Sequence, residues 1–136
     1  MLSVAQALSL LAAAVSPAGV EDVPLERAAG RVLAKEVRSD VDWPPFDTSA
    51  MDGYAVRVAD VVAGREIPER PGLVGAGSAP PGPLFPGEAV RVMTGAPLPP
   101  GTEAIVPVER AARAAGTVRF EIVPRAGAHV RRRGES

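Results

Sequence analysis

Two carboxylates and two hydroxyls fall within six consecutive positions, at Asp47, Thr48, Ser49 and Asp52. Such a set can hold a hard cation through its acids or a polar ligand through its hydroxyls. It can equally be a loop tied to its own backbone, because short Asp, Ser and Thr side chains bond nearby amides. Asp52-Gly53 is an Asp-Gly turn signal, so an ordinary turn and a ligand-binding carboxylate both stay open. A further hydroxyl, Thr94, lies in Met93-Thr94-Gly95-Ala96-Pro97, where a strand runs into a Gly/Pro loop. It either caps its own turn or serves a binding site at a strand edge. Arg131-Arg132-Arg133 is the one basic cluster. Guanidiniums grip phosphate oxygens bidentately, and a solvated turn of salt-bridge donors accounts for the run as well.

Other chemistries lack their residues. There is no Cys, which removes disulfides, thiol nucleophiles and thiolate metal sites, and the single His129 removes histidine-cluster zinc. His129 reads as a surface or loop residue without a nucleophile partner. Gly75-Ala76-Gly77 has Pro80 where a dinucleotide fingerprint needs Gly or Ala, and Lys35 follows no glycine-rich phosphate loop. A net charge of -1 gives no reason to expect nucleic acid or an anionic membrane as partner. The apolar start lacks the basic segment of a secretory signal, since its first cation is Arg27, so a cytoplasmic protein is expected. Asn is absent and Gln6 is the sole Gln, a bias that fits a heat-adapted source or merely a skewed genome.

The elements that must position these groups are short. Ser3 and Gln6 form a capping box, and Val4, Leu8, Leu11 and Val15 then mark one stripe of a helix ended by Ser16–Gly19. Its opposite face is mostly Ala and Ser, which fits cover on more than one side, as in a dimer, and fits a compositional bias toward Ala equally well. Val20–Val23 and Arg31–Val37 are read as strands, with a helical turn at Leu25–Ala29 between them. Tyr54, Val56 and Val58 alternate as on a half-buried strand. Ala59–Pro71 reads as a polar surface excursion and Leu73–Gly77 as a small strand. Ala89–Met93, Ala104–Val108 and Val118–Val123 follow Gly/Pro turns as clearer strands. With 15 prolines and 14 glycines in 136 residues, the chain is expected to be a β-dominated α+β fold.

Several stretches together resemble the N-terminal part of the molybdopterin molybdenumtransferase family (MoeA and the homologous gephyrin E domain). They are Gly30–Ala34, Pro45–Asp47 with Ser49–Val56, Gly87–Pro99, Glu103–Val106 and Val130–Glu135. The most specific are Ser-Ala-Met-Asp-Gly-Tyr-Ala and Met-Thr-Gly-Ala-Pro. The resemblance implies insertion of molybdenum from molybdate into molybdopterin, with an adenylylated pterin intermediate and Mg2+. It implies a homodimer whose N-terminal helix is followed by coiled and branching β-sheets, with one lobe inserted into another. On that pattern residues 1–43 begin the first lobe, 44–127 are the inserted β-rich lobe and 128–136 start the return.

By the same resemblance Asp52 and Thr94 match functional residues of the family, with Asp52 as metal ligand. Asp47, Ser49, Arg131, Arg132 and Arg133 are substrate-binding candidates by proximity. The family usually continues Gly-Glu with Asp, where this chain has Ser136. The MogA-like α/β domain that completes the family's cleft has no counterpart in the sequence, so the expected object is a fragment, inactive alone. A non-catalytic scaffold of the gephyrin kind is the alternative.

Overall fold

The computed structural model describes residues 2–16 and 19–136. The chain divides into two units, Met1–Arg38 and Ser39–Ser136. The first holds α1 (Val4–Ala14) and a single 3-10 turn at Leu25–Arg27. Ser3 caps α1 as its sequence implies: its hydroxyl accepts from the Gln6 amide, and its own amide donates to Gln6 Oε1 at 2.9 Å. No residue of α1 is buried, so its own unit does not supply the expected cover on several sides. The helix ends at Ala14 with Val15 as cap; the stop placed on Ser16–Gly19 includes Pro17 and Ala18, which lie outside the described residues.

The strands expected at Val20–Val23 and Arg31–Val37 do not form. Neither has a partner strand among the described residues, and an unpaired extended segment leaves its amides without a ladder. The helical turn near Leu25 is present.

Among the described residues all eight strands belong to the second unit: β1 (Thr48–Ser49), β2 (Gly53–Val56), β3 (Glu66–Val74), β4 (Ala89–Val92), β5 (Ala104–Pro107), β6 (Ala111–Ala114), β7 (Thr117–Phe120) and β8 (Val130–Arg131). Six make one curled sheet in the order β5-β2-β4-β3-β7-β6, and β1 pairs with β8. Only β3 and β4 run parallel. Alternation sends Tyr54 and Val56 into one cluster with Val106, Val118 and Phe120. It sends Ala55 into the other with Val90, Val92, Leu98 and Ile105. Both faces are covered, so β2 is buried at every position rather than half-buried.

Glu66–Val74 corrects the polar excursion read over Ala59–Pro71: it is the longest strand and lies inside the sheet. Its prolines sit where the ladder can spare an amide. Pro68 pairs only with Thr117 of β7, before pairing to β4 begins at Glu69, and Pro71 falls in the register shift between Arg70 and Val74. Glu69 is buried on this strand and accepts from Arg113 Nε at 2.6 Å.

Candidate functional site

Asp52 and Thr94 meet because two loops are joined by their backbones. The Ser49 amide donates to Ala96 O at 3.1 Å, Gly95 N to Ser49 O at 2.8 Å, and Leu98 N to Asp47 O at 2.9 Å. A bridge between Thr48 and Pro97 continues the pairing. Beyond it the Val108 amide fixes Asp52 O at 3.1 Å. Thr94-Gly95 occupy the middle of a tight turn closed by Ala96 N to Met93 O at 3.0 Å, and Gly95 takes the positive φ of 78° such a turn requires.

Gly53 has a different duty from the turn glycine its Asp-Gly pair suggests. It is the first residue of β2, paired with Val92 and Pro107. A Cβ there would lie 2.4 Å from Val106 O, so the glycine permits a close backbone approach.

At the junction one Asp52 oxygen, Oδ1, accepts both the Thr94 hydroxyl at 2.6 Å and the Thr94 amide at 2.7 Å. These two bonds, the hydroxyl's first and the amide's second, hold the Asp52 carboxyl below its usual range, and the Arg91 charge adds to them. The other oxygen, Oδ2, has no protein partner among the described residues. The pair is therefore an ionised carboxylate with one face occupied and one face available.

The remaining candidates are placed as follows. Ser49 is 2% exposed and its hydroxyl donates to Met51 O at 2.5 Å, so its side chain shapes the loop. Asp47 accepts from Arg132 Nη1 at 2.6 Å and from the Arg133 amide at 2.9 Å. Burial pulls its carboxyl upward, but the Arg133 amide and the Arg132 guanidinium outweigh that and leave it lowered. Arg133 Nε donates to Asp42 at 2.7 Å, a partner that sequence reading did not anticipate. Arg131 is exposed on β8 opposite Thr48. The arginine run thus binds the Asp42 and Asp47 segments through Arg132 and Arg133. His129 is exposed with φ 56° and contributes its carbonyl to the Ala50 amide.

One neighbour was missed. Arg91 of β4 lies 5.3 Å over the Tyr54 ring, and its Nη1 donates to the Tyr54 hydroxyl at 3.1 Å. Strand alternation was the available signal: two residues after Ala89 on the same face, it is cross-strand partner to Tyr54, itself two residues from Asp52.

Comparison with known proteins agrees with this architecture. The chain matches the family described as the MoeA N-terminal region (domain I and II) over residues 2–136. It is 41% identical to the molybdopterin molybdenumtransferase of Synechococcus elongatus, with 99% of this chain and 35% of that protein covered. It is 42% identical to molybdopterin molybdenumtransferase 2 of Mycobacterium tuberculosis, covering 83% of this chain and 29% of that one. The crystal structure of the molybdopterin biosynthesis MoeA protein from Pyrococcus horikoshii superposes with a TM-score of 0.70 at 32% identity, over 98% of this chain and 35% of that one. The chain spans about a third of the length of the relatives it matches. It belongs to the MoeA family, whose N-terminal region matches residues 2–136 of the chain.

Proposed function

We propose that this chain supplies the Asp52–Thr94 wall of a cleft in which molybdenum from molybdate is inserted into molybdopterin, presented as its adenylylated form. The single supporting observation is the asymmetric carboxylate: Thr94 occupies Oδ1 with two donors, which leaves Oδ2 for a ligand. No group of three or more His, Cys, Asp or Glu that could hold a metal occurs among the described residues. A closed protein cage therefore does not fit. A magnesium ion held by one carboxylate, with substrate oxygens and water completing its shell, does fit. Asp52 would hold it, and its charge would offset that of phosphate or molybdate oxygens. Thr94 orients Asp52 and keeps it ionised, which readies the acceptor before any ligand arrives.

The wider reading follows from kinship. Residues 44–127 form the inserted lobe between segments 1–43 and 128–136, and a MogA-like domain completes the cleft in a homodimer. The exposed apolar stripe of α1 supplies part of the self-association surface. The protein acts in the cytoplasm, and a heat-adapted source accounts for the lack of Asn and Cys. No helix among the described residues is long and apolar enough to cross a membrane.

The test is Asp52→Ala in a full-length relative carrying this segment. Molybdenum insertion is expected to fall at least about 100-fold, with thermal unfolding little changed because the side chain lies outside both core clusters. Insertion at the unsubstituted rate would remove Asp52 from the site.

A further inference from the structure

Arg91 is unusual among the arginines. Three of those described are partly buried, namely Arg57, Arg70 and Arg91. Arg57 has Asp60 at 3.8 Å, and Arg70 is gripped by Glu88. Arg91 alone of the three has no carboxylate within ion-pair distance. A guanidinium withdrawn from water without a counter-ion is costly unless something offsets its charge. Here the Tyr54 ring supports its face and the Tyr54 hydroxyl takes one N–H. The other N–H groups have no protein acceptor among the described residues.

Its position is fixed as firmly as its isolation. Tyr54 is 1% exposed and packs edge-on against Phe120, with ring centroids 5.7 Å apart, so the platform under Arg91 is part of the core. Gly53 pairs with Val92 and Tyr54 with Arg91, which sets Asp52 level with Met93 and diagonal to Arg91. Such diagonal neighbours are within reach of long side chains.

Resting on the reading of Asp52 as the cation ligand, we infer that Arg91 is the anion-binding arm of the same site, held on Tyr54 to take a tetrahedral oxyanion whose cation sits on Asp52. The arrangement gives the site two poles. A cation alone meets repulsion from Arg91, an anion alone meets repulsion from Asp52, and an oxyanion bridged to a divalent cation satisfies both. Phosphate of an adenylylated pterin and molybdate share this chemistry.

The experiment titrates the chain with Mn2+ by electron paramagnetic resonance, and separately with inorganic phosphate and with molybdate by calorimetry in the presence of Mn2+. Arg91→Gln is expected to weaken oxyanion binding at least tenfold while Mn2+ alone binds as tightly as before or more tightly, because a repelling charge is gone. Whichever anion loses more identifies the source. Tyr54→Phe keeps the core shape but removes the hydroxyl anchor, and should weaken the anion a few-fold. Oxyanion binding by Arg91→Gln within twofold of the unsubstituted chain would overturn the inference, as would no oxyanion binding by the unsubstituted chain. Parallel loss of Mn2+ and anion in Arg91→Gln would show a merely structural role and overturn it too. Mn2+ binding that ignores Asp52→Ala would instead refute the Asp52 reading, so the two failures are distinguishable.

Discussion

Both units of the chain expose some apolar residues, but only the second also builds an apolar core. In the first, Leu8 and Leu11 are 62% and 61% exposed, and Val20, Val32, Leu33 and Val37 are exposed with them. In the second, Tyr54 and Phe120 are each 1% exposed inside a sheet covered on both faces. Apolar patterning is present in both, but only the second has enough paired backbone to enclose it. Amphipathic periodicity thus identifies a surface that needs cover without saying that the same unit provides it.

The contrast can be broken most severely at the ring beneath Tyr54. Phe120→Ala should lower the free energy of unfolding by about 3–5 kcal/mol, read from urea midpoints; a loss below about 1 kcal/mol would mean that the second unit's core is not where stability resides. Acid should act on the same unit next. Asp47, Asp52 and Glu88 all have folded pKa values below their unfolded ones. Their stabilisation is therefore complete above about pH 5, where the unfolded carboxyls are also ionised, and disappears as pH falls through the lower folded values. The urea midpoint should stay flat from neutral pH down to that point and drop below it, and a decline starting near pH 6 would implicate other groups.

The smallest effect on unfolding is expected in the first unit. Leu8→Asp with Leu11→Asp should shift unfolding by less than about 0.5 kcal/mol, while sedimentation velocity shows weaker self-association. A stability loss as large as that of Phe120→Ala would erase the distinction between the units.

Much of the second unit was legible in the sequence because Gly/Pro punctuation brackets its β-branched runs. Ala89–Val92 and Ala104–Pro107 emerge close to their expected bounds, and Thr117–Phe120 is shorter than the run suggests. The β3 strand was hidden because Pro68, Pro71 and Gly72 look like breakers, and only the changeover of partners from β7 to β4 makes them tolerable. The β6 strand, Ala-Ala-Arg-Ala, carries no β-branched residue and takes its form from pairing with β7. Asp52 and Thr94 were legible as residue types in loops, and the direct bond between them was not, since it depends on backbone pairing between segments over 40 residues apart. Arg91 was not legible because a polar residue in a strand reads as solvent-facing until its cross-strand partner, Tyr54, is known.

The backbone pairing of the Asp47–Ser49 and Gly95–Leu98 segments also bears on what the neighbouring side chains are free to become. The spacing between acid and hydroxyl is dictated by peptide groups, which every residue except proline carries in full. Ala50 and Met51 can therefore drift to other small or apolar types without moving the jaws of this clamp. Evolution can retune what the clamp touches while its span stays constant.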